Sequence, residues 1–199
     1  AIIPPVFYID ALMSFLNKKY YVSLLNAASF YGASHQRAQT FSVMTEAPKL
    51  RNTVKTGTSI LFFSKKNIPE KYIRSHKAQS GYVKVASPEL TAIDLIENEK
   101  HIGGLNRVCT VLNELVDSID FDKLNKDFFD LAPTPIYQRL GYILESVLER
   151  EDLADIFKSK FPLSLTTRNV PFKIGKSTED CEIDKKWKII INQEIEIDE

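Results

Sequence analysis

Few of the 199 residues are of types and spacings that do chemistry. Ser34-His35 sets a hydroxyl beside an imidazole, but a hydrolytic triad needs the fold to join nucleophile, base and acid, which adjacency in sequence does not do. His35 is expected to bond locally, in the turn from Gly32 to Arg37. Asp184-Lys185-Lys186, ahead of the apolar run Trp187–Ile191, fits the acid-x-lysine of a metal-dependent nuclease, in which paired acids hold Mg²⁺ and place water. Acids near Asp94 or Asp184 would carry that chemistry, and a solvated turn is the other reading. Gly103-Gly104 ahead of a helix either cradles an anion on free N–H groups or turns the chain between helices. No glycine pattern matches a phosphate loop. Three separate histidines (His35, His76, His101) and two cysteines (Cys109, Cys181) leave little for a metal site or a disulfide scaffold. No catalytic residue, metal or cofactor is expected, and the reducing cytoplasm is the natural setting.

Charge is more informative. The formal net charge is zero, yet residues 1–86 hold 12 Lys+Arg against 3 Asp+Glu, and residues 87–199 hold 14 against 23. One half is thus +9 and the other −9. Such asymmetry points to a polyanionic or acidic partner, or to attraction between halves of one fold. Lys49, Arg51, Lys55, Lys65 and Lys66 lie in loops and strand ends around Ile60–Phe63, and Arg37 lies upstream. Together these six are the expected contact residues. They would meet phosphates without reading a base sequence, and no helix offers a basic recognition face.

The elements that must carry these residues follow from periodicity. An apolar fraction of 44% and a charged fraction of 26% are those of an ordinary folded domain. No run nears the ~18–20 apolar residues of a membrane helix. Tyr8, Ala11, Leu12, Phe15 and Leu16 predict one helix. Tyr21, Leu24, Leu25 and Ala28 predict a second, ended by Gly32. Phe41–Thr45 reads as a half-buried strand, Ile60–Phe63 as a buried one and Tyr82–Val85 as a third. Ser87-Pro88-Glu89 starts a helix with a hydroxyl cap, a first-turn proline and an acid at the positive dipole end. Leu105, Val108, Cys109, Leu112, Leu115 and Val116 mark another helix. Leu140, Ile143, Leu144, Val147 and Leu148 mark one more. Trp187–Ile191 and the alternating Glu194-Ile195-Glu196-Ile197 predict a terminal strand pair. The fold class is α+β: two opening helices with a small sheet over 1–86, then a mainly helical, acidic part with terminal strands over 87–199.

With those elements placed, Tyr21–Gln36, reading YVSLLNAASFYGASHQ, resembles the AbiE-type antitoxin family, the regulatory half of type IV bacterial toxin–antitoxin and abortive-infection systems. Ile3-Pro4-Pro5, Gln39–Val43, Ser87–Leu95, Gly103-Gly104-Leu105, Gln138–Glu145 and Trp187–Asn192 extend the likeness in order along nearly the whole chain. Tyr21, Gly32, His35, Gln36, Asp94 and Arg139 are the motif residues it singles out, without an assigned role. The resemblance implies a non-enzymatic antitoxin C-terminal domain of a transcriptional regulator that counteracts a nucleotidyltransferase-like toxin. It also implies operator DNA bound through an N-terminal winged helix-turn-helix absent from these residues. The start at Ala1, without an initiator Met, fits a processed chain or a piece of a longer one. Two other classes stand beside this reading: a degenerate or active nuclease-like domain, and a structural support for a DNA-binding domain.

Overall fold

Tyr20–Val22 is a strand (β1), and the first half of the chain is built outward from it. The computed structural model describes residues 2–34, 39–55, 57–164 and 166–197, and divides the chain into two compact units, Ala1–Asp94 and Leu95–Glu199. The fold is mixed α+β, with a six-stranded sheet in the first unit and a three-stranded sheet in the second. Among the described residues no helix is long and apolar enough to cross a membrane.

The helix expected from Tyr21 onward is therefore split. Tyr20-Tyr21-Val22 combines aromatic and β-branched side chains, which suit a pleated buried surface better than a first helical turn, and all three are buried. The chain turns at Leu24, whose φ is +55°, into α2 (Leu24–Phe30). That helix ends as its sequence requires. Gly32 takes φ +74°, its N–H donates to Ser29 O, and Ala33 N–H donates to Ala28 O, the paired bonds of a Schellman motif.

β2 (Thr40–Glu46), β3 (Thr53–Lys55), β4 (Thr58–Lys65), β5 (Ile73–Ala78) and β6 (Gly81–Ala86) complete the sheet in the order β3-β4-β2-β1-β6-β5. β2 lies parallel to β4 and antiparallel to β1. Its residues Phe41–Thr45 are all buried, so the half-buried expectation fails at this central strand. α1 (Ile9–Phe15) packs on β6 and α2 on β2. α3 (Pro88–Glu97) begins at Ser87, whose Oγ accepts the Leu90 N–H at 3.2 Å.

In the second unit Gly103 (φ +102°) and Gly104 (φ +90°) form a tight turn into α4 (Leu105–Leu115), and the Gly104 N–H donates to Glu99 O. That donor is spent inside the turn. α5 (Thr134–Tyr142) passes into a π-helical segment, Ile143–Val147, so the Leu140–Leu148 stripe is one apolar face read through two helical periods. α6 (Glu151–Lys160) follows. Phe121, Phe128, Phe129, Tyr137, Phe157, Phe161 and Trp187 form a linked ring cluster with centroids 5.1–5.8 Å apart. β9 (Ile189–Ile190) lies between β7 (Val170–Pro171) and β8 (Ile183–Asp184).

Of the two expected terminal strands, the first is present but limited to Ile189–Ile190, and the second is corrected. Trp187 and Lys188 belong to the turn before β9, where Lys188 has φ +55°. Glu194–Ile197 forms no strand despite its alternation, and its Glu196 N–H goes to the Asn106 side chain at 3.4 Å.

Candidate functional site

Three residues far apart in sequence meet inside the first unit. Tyr21 on β1 donates its hydroxyl hydrogen to Asp94 Oδ2 at 2.6 Å, and Lys65 at the end of β4 donates from Nζ to Asp94 Oδ1 at 2.6 Å. Tyr21 and Asp94 are fully buried, and the Lys65 side chain is 8% exposed. An ion pair in such a setting costs desolvation on both sides. Two hydrogen bonds on opposite carboxylate oxygens offset that cost, and they fix α3 against two strands of the sheet.

Lys65 was expected on the surface as a contact residue, and this is a correction. The extended chain carries its stem inward beside the apolar run Ile60–Phe63, and Asp94 is the counter-charge waiting there. A sequence signal existed in Ala92-Ile93-Asp94-Leu95-Ile96, where one acid interrupts a wholly apolar stretch and so demands a buried partner. Both carboxylate oxygens of Asp94 are occupied by these donors, an arrangement unlike a metal-holding acid. Among the described residues no group of three or more His, Cys, Asp or Glu could hold a metal ion.

The other expected contact residues disperse. Lys49 and Arg51 are exposed in the loop after β2, and Lys66 is exposed just beyond β4. Because β2 and β4 run parallel, both segments leave the sheet at the same end. Among the described residues none of these three makes an ion pair. Lys55 closes β3. His35, Gln36 and Arg37 lie outside the described residues.

Sequence reasoning missed a mixed aromatic and cationic group where α2 meets β5. The Tyr31 hydroxyl donates to Ala86 O at 2.7 Å and lies 3.4 Å from His76 Nε2. The Phe30 ring lies tilted against the His76 ring with centroids 5.0 Å apart, and the Arg74 guanidinium sits 5.7 Å from the Tyr31 ring centre. Burial pushes the Tyr31 hydroxyl up to about 12 although Arg74 opposes the shift. His76 is held below its ordinary value by burial and then by the Arg74 charge. A strand reading Ile73-Arg74-Ser75-His76-Lys77-Ala78 has no apolar alternation to reveal it.

In the second unit Arg139 is 6% exposed, with Nε and Nη2 both donating to Pro171 O at 3.1 and 3.0 Å. Its neighbour Gln138 donates from Nε2 to Arg168 O at 3.0 Å and to Trp187 O at 3.1 Å. Two motif blocks, Gln138–Glu145 and Trp187–Asn192, therefore clasp one another. The Trp187 indole N–H donates to Glu145 Oε2 at 2.9 Å, and Lys186 pairs with the other Glu145 oxygen. Asp184 accepts the Trp187 N–H at 2.7 Å, so the nuclease-like Asp184-Lys185-Lys186 is a capped turn. Burial, then the Glu99 charge, pushes the Cys109 thiol up to about 12, leaving it without reactive thiolate.

The family model of the AbiEi antitoxin C-terminal domain matches residues 21–146, and the chain belongs to that family. No curated protein matches the sequence. Among solved structures, the RV2827C protein from Mycobacterium tuberculosis is similar with a TM-score of 0.63 at 14% identity, over 94% of this chain and 67% of that one. An antigenic nucleotidyltransferase-like protein from Paracoccidioides brasiliensis aligns at 11% identity with a TM-score of 0.48, over 80% of this chain and 93% of that one.

Proposed function

We propose that this chain is a non-enzymatic antitoxin domain of a bacterial transcriptional regulator, counteracting a nucleotidyltransferase-like toxin in a type IV, phage abortive-infection system. Family membership over residues 21–146 supports the antitoxin role. The observation that carries the non-enzymatic reading is the fate of the motif residues. Tyr21, Asp94 and Arg139 are all buried and bonded within the fold. They build the frame, and function falls to exposed side chains such as Lys49, Arg51 and Lys66. Operator DNA is engaged through a winged helix-turn-helix outside these residues, and the protein works in the cytoplasm.

Growth rescue tests this reading. The full-length protein, co-expressed with a nucleotidyltransferase-like toxin, should restore growth that the toxin alone arrests. Persistent arrest, with both proteins soluble and folded, sinks the proposal.

A further inference from the structure

Two cavities of the first unit share two lysines. One, of about 240 Å³, is lined by Tyr20, Ile68 and Ile73 with Lys19 and Lys84; the other, of about 480 Å³, adds Ser14, Asn17 and Lys18 to the same pair. Ser75 and Lys84 are directly paired residues of β5 and β6, so their side chains stand together on one face of the sheet. The result is a trough that joins aromatic and aliphatic side chains to hydroxyls and three lysines, with Glu46 and Glu70 also in its lining.

Some of its polar groups are engaged within the chain: Lys18 Nζ donates to Pro48 O at 3.1 Å, and one oxygen of each carboxylate is taken. Glu70 pairs with Lys19 Nζ at 3.2 Å, Glu46 accepts the Lys19 N–H at 3.3 Å, and the Tyr20 oxygen accepts the Lys84 N–H at 3.2 Å. Among the described residues the Lys84 ammonium has no partner, nor do the Ser75 and Ser14 hydroxyls. A cation beside free hydroxyls recognises an oxyanion through charge-assisted hydrogen bonds. The flanking Tyr20, Ile68 and Ile73 offer a surface for a ring or an aliphatic group.

We propose that this trough binds a small organic phosphate, with the phosphoryl group on Lys84 and Ser75 and the organic part against Tyr20, Ile68 and Ile73. The site is distinct from Lys49, Arg51 and Lys66, and it stands whether or not the antitoxin reading holds. Lys84 is exposed, so its substitution leaves the fold intact and reports on binding alone.

Two-dimensional amide NMR of the 199-residue chain, titrated at low salt with inorganic phosphate and separately with adenosine monophosphate, tests it. Shifts should cluster at residues 14–20, 68–75 and 84, and the monophosphate should bind more tightly than phosphate. Lys84→Gln should weaken binding about tenfold, the loss of one charge-assisted contact, and Ser75→Ala should weaken it less. Lys49→Gln, outside the trough, should change nothing. No saturable shift, shifts spread over all exposed lysines, or equal loss in Lys49→Gln and Lys84→Gln would overturn the proposal. So would binding of an acidic peptide or a DNA duplex at the trough without binding of either phosphate.

Discussion

Gly141 lies directly beneath the indole of Trp187, and a Cβ at position 141 would stand 2.1 Å from two ring carbons. The ring cannot yield. It stacks on Phe157 with centroids 5.8 Å apart, carries Lys158 Nζ at 4.9 Å and is tied through its N–H to Glu145. A helical glycine normally gains about 1 kcal/mol on replacement by alanine. Here the sign reverses. Gly141→Ala should destabilise the protein by roughly 1–3 kcal/mol, the usual cost of overpacking, as read by denaturant unfolding followed through Trp187 fluorescence. An unchanged or raised midpoint would show that the close approach does not constrain the fold.

The Lys65–Asp94 pair makes a sharper energetic prediction. Lys65→Met leaves a buried carboxylate short of its counter-charge, which costs ~3–5 kcal/mol. Asp94→Asn should cost a similar amount by stranding the ammonium. The double variant should recover part of the sum, because a neutral amide and a thioether leave no uncompensated charge. Strictly additive losses in a double-mutant cycle would mean that the two groups do not interact energetically.

Most of the elements were legible from the sequence where one period dominated. Gly32, Ser87 and the Gly103-Gly104 turn each ended or began a helix by local chemistry that no tertiary contact needed to supply. β1 was not legible, because Tyr21-Leu24-Leu25-Ala28 satisfies a helical period and only burial between β2 and β6 decides otherwise. β5 was hidden by its polar composition. Glu194–Ile197 failed in the opposite way: alternation predicts a strand, but a strand exists only where another offers a hydrogen-bonding edge. Of the site, Tyr21, Asp94 and Arg139 were found as motif residues. Lys65 was placed in the wrong environment, since a lysine at a strand end is indistinguishable in sequence from one that turns inward to an acid 29 residues away.

Leu112 and Leu144 test the helical phasing of the second unit. Both were expected in the middle of apolar stripes and both are fully buried, although Leu144 lies in the π-helical segment. Truncation of either to alanine should cost on the order of 2–5 kcal/mol. Thermal melts left unmoved by both changes would contradict the packing of α4 and of the segment after α5.

His76 confers a pH dependence whose sign follows from its surroundings. Burial and Arg74 lower its pKa in the folded protein below the ordinary 6.5, and the Tyr31 hydroxyl beside it is un-ionised across the physiological range. Below that value the unfolded chain binds a proton that the folded chain resists, so stability falls with falling pH. The contribution is fully present above about pH 6.5. It is lost as pH drops toward the folded-state value. Denaturant midpoints at pH 8 and pH 5.5 should differ more for the parent protein than for His76→Gln. Equal pH slopes in the two proteins would rule His76 out as a source.

The last prediction separates surface charge from buried charge in the basic half. Lys49, Arg51 and Lys66 are exposed without ion pairs among the described residues, and isolated surface charges contribute only ~0–1 kcal/mol. Lys49→Glu, Arg51→Glu and Lys66→Glu together should therefore leave the melting temperature nearly unmoved. Lys65→Glu alone sets a second carboxylate against Asp94 in the interior and should unfold the first unit or lower its melt sharply. Neighbouring lysines, one residue apart, thus give opposite outcomes. If exposed charge carries the antitoxin role, the triple variant keeps its fold and loses growth rescue, measured in cells with the full-length protein. A triple variant that melts normally and still rescues growth would remove these three residues from the contact surface. That result would leave function to the remaining exposed cations, among them Lys71, Lys77 and Lys84.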